Sequence, residues 1–249
     1  MNLEGKISLI TGGTRGIGAA TAINLAGRGA DIAIIGREIG PDAMQVKAQI
    51  ETLGRRCLTL AGDMSKPEDI ARCVQETIDA LGGIDVLVHS AGGPAPGSLL
   101  DIAPEAWYYA FDIHVHAIFH LCRAVVPQMK TRGEGAIILI ASVAGLRGFP
   151  GAIAYTVVKG ALFQFTRSLA RELADCNIRV NCVAPGIIRT RFHEKMTPEQ
   201  YRHNIENRIP LHREGKPEDV AEAIAMLAVN EFITGESVVI DGGMTMRMV

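Results

Sequence analysis

Seven short runs of almost unbroken aliphatic residues recur along the chain, at 6–11, 31–36, 56–62, 84–90, 135–142, 178–184 and 236–241. A half-exposed strand alternates apolar with polar residues, whereas runs such as DIAIIG and GAIILIAS offer no polar face. They read as strands buried on both sides, as in a parallel sheet covered by helices. The segments between them, 16–29, 41–54, 67–82, 104–131, 152–175 and 217–230, have helical length and composition. Pro41, Pro67, Pro104 and Pro217 stand near helix starts, where a missing N–H is harmless. This alternation predicts an α/β fold: one domain built on a doubly wound parallel sheet of about seven strands. The least regular stretch, 186–216, carries Pro198, Pro210 and many charges and reads as a lid beside the site.

With 249 residues, 48% of them hydrophobic, the chain can bury a large core without disulfides or metals. A formal charge of -2 provides no general attraction to phosphate backbones or anionic lipid, so no nucleic-acid or membrane partner is expected. Cys57, Cys73, Cys122, Cys176 and Cys182 form an odd, scattered set without a CxxC pair, which predicts reduced thiols and a cytoplasmic protein. The N-terminal apolar run is too short for a signal peptide.

Between the first strand and first helix lies TGGTRGIG at 11–18. Glycines there let the backbone turn tightly and approach a ligand, while N–H groups at the helix start face a pyrophosphate. The spacing is GxxxGxG, which differs from the GxGxxG fingerprint, but the order of strand, turn and helix is that of a Rossmann-type dinucleotide site. Further along, Tyr155 and Lys159 are four residues apart in a helical segment and share one face. An ammonium near a phenol favours the phenolate, suiting Tyr155 to proton transfer. Ser142 ends the fifth apolar run, at the carboxyl edge where α/β enzymes keep their chemistry. Taken singly, each of these residues is as easily a surface or turn residue.

Together, TGGTRGIG, SAG at 90–92, Ser142 with YTVVK at 155–159, and PG at 185–186 followed by Thr190 resemble the short-chain dehydrogenases/reductases, and the likeness spans almost the whole chain. The resemblance implies that Tyr155 is the general acid/base, that Lys159 lowers its pKa and contacts the nicotinamide ribose, and that Ser142 holds the substrate oxygen. It places the cofactor along Gly12, Thr14, Arg15, Gly16, Ile17 and Gly18, then Asp63 and Met64 for the adenine, Ala91 and Gly92, and Pro185, Gly186, Ile188 and Thr190 beside the nicotinamide. It also implies a homotetramer, for which the tail Met244–Val249 offers adaptable methionines.

The chain departs from the family pattern at two histidines. His89 stands where asparagine is common, and His114 occupies the position of a fourth catalytic residue, usually asparagine. His114 is either a titrating relay group or a structural residue at a helix kink whose carbonyl holds the relay water. His116 and His120 have zinc-ligand spacing but lack a third ligand, so no metal is expected. Gly36 stands where NAD-preferring relatives carry aspartate; with Arg37 and Arg15 available for a 2′-phosphate, this predicts NADP(H), although Glu38 is also placed to meet the ribose. The expected activity is ketone or 3-oxoacyl reduction. The alternatives are sugar or secondary-alcohol oxidation, or an NADP(H)-binding regulator with little turnover.

Overall fold

In the computed structural model, which describes residues 1–191 and 196–246, the apolar runs form one parallel sheet. Its strands are β1 (Ile7–Thr11), β2 (Asp31–Gly36), β3 (Cys57–Ala61), β4 (Val86–His89), β5 (Gly135–Ile140), β6 (Ile178–Pro185) and β7 (Ser237–Ile240), in the order β3-β2-β1-β4-β5-β6-β7. Continuous apolar character is required because successive side chains enter opposite hydrophobic layers. In β2, Ile32 and Ile34 join the layer beneath α1 (Gly16–Gly27), α2 (Pro41–Thr52) and α8 (Pro217–Val229). Ala33 and Ile35 face the layer formed with α3 (Pro67–Leu81), α5 (Ala117–Arg132) and α6 (Ile153–Leu173). The doubly wound, Rossmann-type architecture read from the sequence is thus the observed one.

The four prolines open α2, α3, α8 and the short α4 (Pro104–Phe111). Left-handed Gly82 and Gly133 stop α3 and α5, as residues without a Cβ do at helix ends. Two expectations need correction. The helix expected over 104–131 is interrupted by a π-turn at Asp112–His116, between α4 and α5. The stretch expected to be irregular contains α7 (Pro198–His203), capped by Thr197, whose hydroxyl accepts from Gln200 N at 3.2 Å, and continuing into a second π-turn at Asn204–Arg208. Residues 192–195, within the stretch expected to form a lid, and tail residues 247–249 lie outside the described residues.

The order in which strands are added reverses between β1 and β4: the connections from β1 lead towards β3, and those from β4 towards β7. At such a switch point the loops splay apart beyond the carboxyl ends and leave a crevice.

Candidate active site

Close packing explains the glycine turn. A Cβ on Gly12, whose φ is +63°, would lie 2.8 Å from Ala91 N, and one on Gly18 would lie 2.2 Å from Gly12 O. The turn therefore folds tightly against the β4 loop. Arg15 precedes α1, which has no side-chain cap and no acidic residue in its first turn, so its positive end is open to an anion. Thr190 reaches across to this end, 3.4 Å from a Cβ built on Gly16. A side chain at Gly36 would meet Thr14 Cγ2 at 2.6 Å, so Gly36 allows the turn to sit on the end of β2. The tight turn and the open helix end together fit a diphosphate-linked dinucleotide.

Ser142, Tyr155 and Lys159 line one cavity of about 970 Å³, together with Ile17, Ala91, Gly92, His114, Pro185, Gly186, Ile188 and Thr190. Ser142 lies two residues beyond β5, and its Oγ accepts from Ala144 N at 3.1 Å. Tyr155 and Lys159 occupy the first two turns of α6. Buried Lys159 donates from Nζ to Ile140 O at 2.6 Å, tying α6 to the strand that delivers the serine. Gly145 completes the joint: a Cβ there would meet Lys159 C at 2.5 Å and Gly160 N at 2.6 Å. The Gly145–Gly160 contact was missed from sequence, although a glycine inside a helix costs about 1 kcal/mol and so itself signals close packing.

Burial pushes the Lys159 ammonium down to about 7. Burial also raises the Tyr155 pKa, with the Ser142 hydroxyl beside it acting in the opposite direction. Desolvation, rather than the lowering by Lys159 expected from their spacing, is therefore the larger influence on the phenol.

Both unusual histidines are buried. The His89 ring bridges Thr11 Oγ1, at 2.9 Å, and Ile113 O, at 3.1 Å, linking β1 to the first π-turn. His114 lies in that turn, with Nε2 3.1 Å from Gly93 O and its ring edge-on to Tyr155, centroids 5.9 Å apart. Its Nδ1 is buried without a hydrogen-bond partner among the described residues. A Cβ on Gly92 would lie 2.2 Å from the His114 ring, so this glycine admits the imidazole. Burial depresses the pKa of His89 to about 4 and of His114 to about 2, with the Lys159 charge acting in the same direction. Both rings are neutral near pH 7.

Arg37, Asp63 and Met64 lie away from the cavity, after β2 and β3 on the same carboxyl edge. Arg15 and Arg37 are exposed. The Asp63 carboxylate accepts from Ser65 N and Oγ at 2.9 and 2.8 Å, shaping its own turn, while Met64 is buried. His116 pairs with Asp112 at 2.9 Å, and no group of three or more potential metal ligands occurs among the described residues. No helix among them is long and apolar enough to cross a membrane.

A sheet of this topology with a glycine turn and a serine–tyrosine–lysine cluster at its carboxyl edge defines a dinucleotide-linked oxidoreductase class, and comparison with known proteins agrees. A family model described as enoyl-(acyl carrier protein) reductase matches residues 12–245. Similar proteins include rabbit (Oryctolagus cuniculus) dehydrogenase/reductase SDR family member 4, 38% identical over 99% of this chain and 96% of the relative. The 3-oxoacyl-(acyl-carrier-protein) reductase of Thermotoga maritima is 37% identical over 98% of this chain and 99% of its own. A solved structure described as a short-chain alcohol dehydrogenase of Sinorhizobium meliloti 1021 superposes with a TM-score of 0.94, at 32% identity, covering 99% of both chains. The chain belongs to the short-chain dehydrogenase/reductase family of nicotinamide-dependent oxidoreductases.

Proposed function

We propose that the protein reduces a ketone, in the manner of 3-oxoacyl reductases, with NADPH. The observation that carries this reading is the convergence of Ser142, Tyr155 and Lys159 in one cavity that reaches the glycine turn through Ile17. When bound, the nicotinamide supplies the hydride. Ser142 Oγ and the Tyr155 hydroxyl hold the substrate oxygen, and Tyr155 gives its proton to that oxygen as negative charge develops there. In the reductive direction the protonated phenol is the form that can act as an acid. Lys159, fixed to Ile140 O, orients the ribose side of the site. His114 acts as a neutral packing residue whose π-turn re-aims the helix towards the site. An NADPH-consumption assay over a ketone panel tests this reading; no turnover of any ketone above the Tyr155→Phe background would refute it.

NADP(H) preference rests on Arg37 and Arg15, exposed at the lip beside the Thr14–Gly36 contact. A charge-assisted contact to a 2′-phosphate contributes about 1.5–3 kcal/mol, with solvent exposure favouring the lower end. Arg37→Ala is therefore expected to raise the NADPH Kd by about 10- to 100-fold and leave NADH almost unchanged. Tighter NADH than NADPH binding by the wild type, abolished in Glu38→Ala, would move the preference to Glu38 and NAD(H).

We further propose that the protein works in the cytoplasm as a homotetramer. Exposed Leu100, Tyr108, Phe119, Phe232 and Met246 supply apolar surface for subunit contacts; tail residues 247–249 lie outside the described residues. Light scattering at micromolar concentration is expected to report an oligomer, and a monomer would overturn this.

A further inference from the structure

The cavity contains positive charge that the chain does not compensate. On its substrate side the loop following Ser142 contributes Arg147 and Phe149, and the π-turn following α7 contributes Asn204, Asn207 and Arg208. No aspartate or glutamate lines it among the described residues. Arg28, Arg72, Arg132 and Arg213, by contrast, each meet a carboxylate.

Arg208 is held in place by neutral groups. Its Nη1 donates to Oδ1 of buried Asn204 at 2.9 Å, and its guanidinium carbon lies 5.8 Å from the Phe149 ring centroid. Asn204 is itself fixed, its Nδ2 donating to Met196 Sδ at 3.2 Å. This anchoring orders the side chain in advance yet spends only one of the guanidinium's five N–H donors among the described residues, leaving a planar fork suited to two oxygens of one anion. Arg147 donates to the Thr245 carbonyl and likewise has no carboxylate partner among the described residues. Two unneutralised cations in a concave, partly apolar site raise the local positive potential and favour an anionic ligand.

We propose that the substrate carries an anionic oxygen group besides its reacting carbonyl, and that Arg208, assisted by Arg147, binds it. The assignment rests on the reading of Ser142 and Tyr155 as the carbonyl end. The anion is either the substrate's own carboxylate or a phosphate on a longer carrier arm; both present oxygens to the guanidinium fork.

Paired substrates test this. One pair is 3-oxohexanoate and its methyl ester; the other is the 3-oxobutyryl thioester of phosphopantetheine and that of pantetheine. One anionic partner is expected to exceed its neutral twin about tenfold or more in kcat/KM, the carboxylate pair or the phosphate pair identifying the source. Arg208→Gln should raise KM for that anion by about 10- to 100-fold and leave the neutral twin unchanged, with Arg208→Lys intermediate. Equal use of both partners in both pairs, or an equal loss for anion and twin in Arg208→Gln, overturns the proposal. Calorimetry of the NADP⁺-loaded protein with hexanoate, methyl hexanoate and phosphopantetheine decides the anion site independently of turnover. Binding of an anion by wild type and not by Arg208→Gln supports the site even if no ketone is reduced, whereas no anion binding by wild type refutes it.

Discussion

Tyr155→Phe is expected to lower turnover by about 10²-fold or more while the fold and cofactor affinity persist, because the substitution removes a positioned proton donor and little else. The ring remains in place against Lys159 Nζ, 5.7 Å from its centroid, and edge-on to His114. Only the hydroxyl beside Ser142 is lost. Steady-state kinetics at saturating cofactor, alongside a cofactor titration, separates the two quantities. Turnover near that of the wild type would remove Tyr155 from the chemistry and leave the cavity as a binding site only.

Stability is expected to fall steeply between about pH 6.5 and 4, driven by His89 and His114. Both have folded pKa values far below the unfolded value near 6.5. Below that value the unfolded chain takes up protons that the folded protein refuses, so the stabilisation is complete above about pH 6.5 and is lost as pH falls towards the folded values. Each histidine contributes about 1.4 kcal/mol per pH unit in this window. Two together approach the whole stability of an ordinary domain within two units. Urea unfolding at pH 7 and pH 5 measures the difference, and His89→Asn or His114→Asn should each flatten it. An unchanged slope in both variants would mean that the rings do not resist protonation. His114→Asn also reports on the relay: a neutral packing residue predicts a modest change in rate, whereas complete loss with cofactor affinity retained would show that the imidazole transfers protons.

The sheet was legible in the sequence because burial on both faces leaves a strand no polar position, as DIAIIG shows. The helix starts were legible because proline suits the first turn. What was not legible depended on tertiary contacts or on local shifts of one residue. A π-turn differs from the surrounding helix by a single hydrogen-bond step, and DIHVH carries no breaker to mark it. The start of α7 was readable in Thr197-Pro198-Glu199-Gln200, a capping sequence hidden within a charged stretch. The serine, tyrosine and lysine were found by spacing and family likeness, but the burial that raises the Tyr155 pKa depends on tertiary packing that spacing does not show. Likewise, nothing in the chain order of Phe149 and Arg208 shows that the two stack.

Among the described residues the sheet contains no hairpin: every neighbouring pair of strands is parallel, and the consecutive ones are joined by crossovers. At its centre β1 pairs with β4, and the Thr11–His89 contact across that pair joins residues 78 positions apart. The first strand emerges early in synthesis but has no inner neighbour until His89 has been made, and Ser142, Tyr155 and the Pro185 loop arrive later still. Closing such long loops before any pairing rewards them makes folding slow and leaves β1 exposed meanwhile. A ribosome stalled before residue 89 would thus present an apolar strand with one of its two edges unpaired, which makes the nascent chain a natural client for chaperones that shield hydrophobic segments.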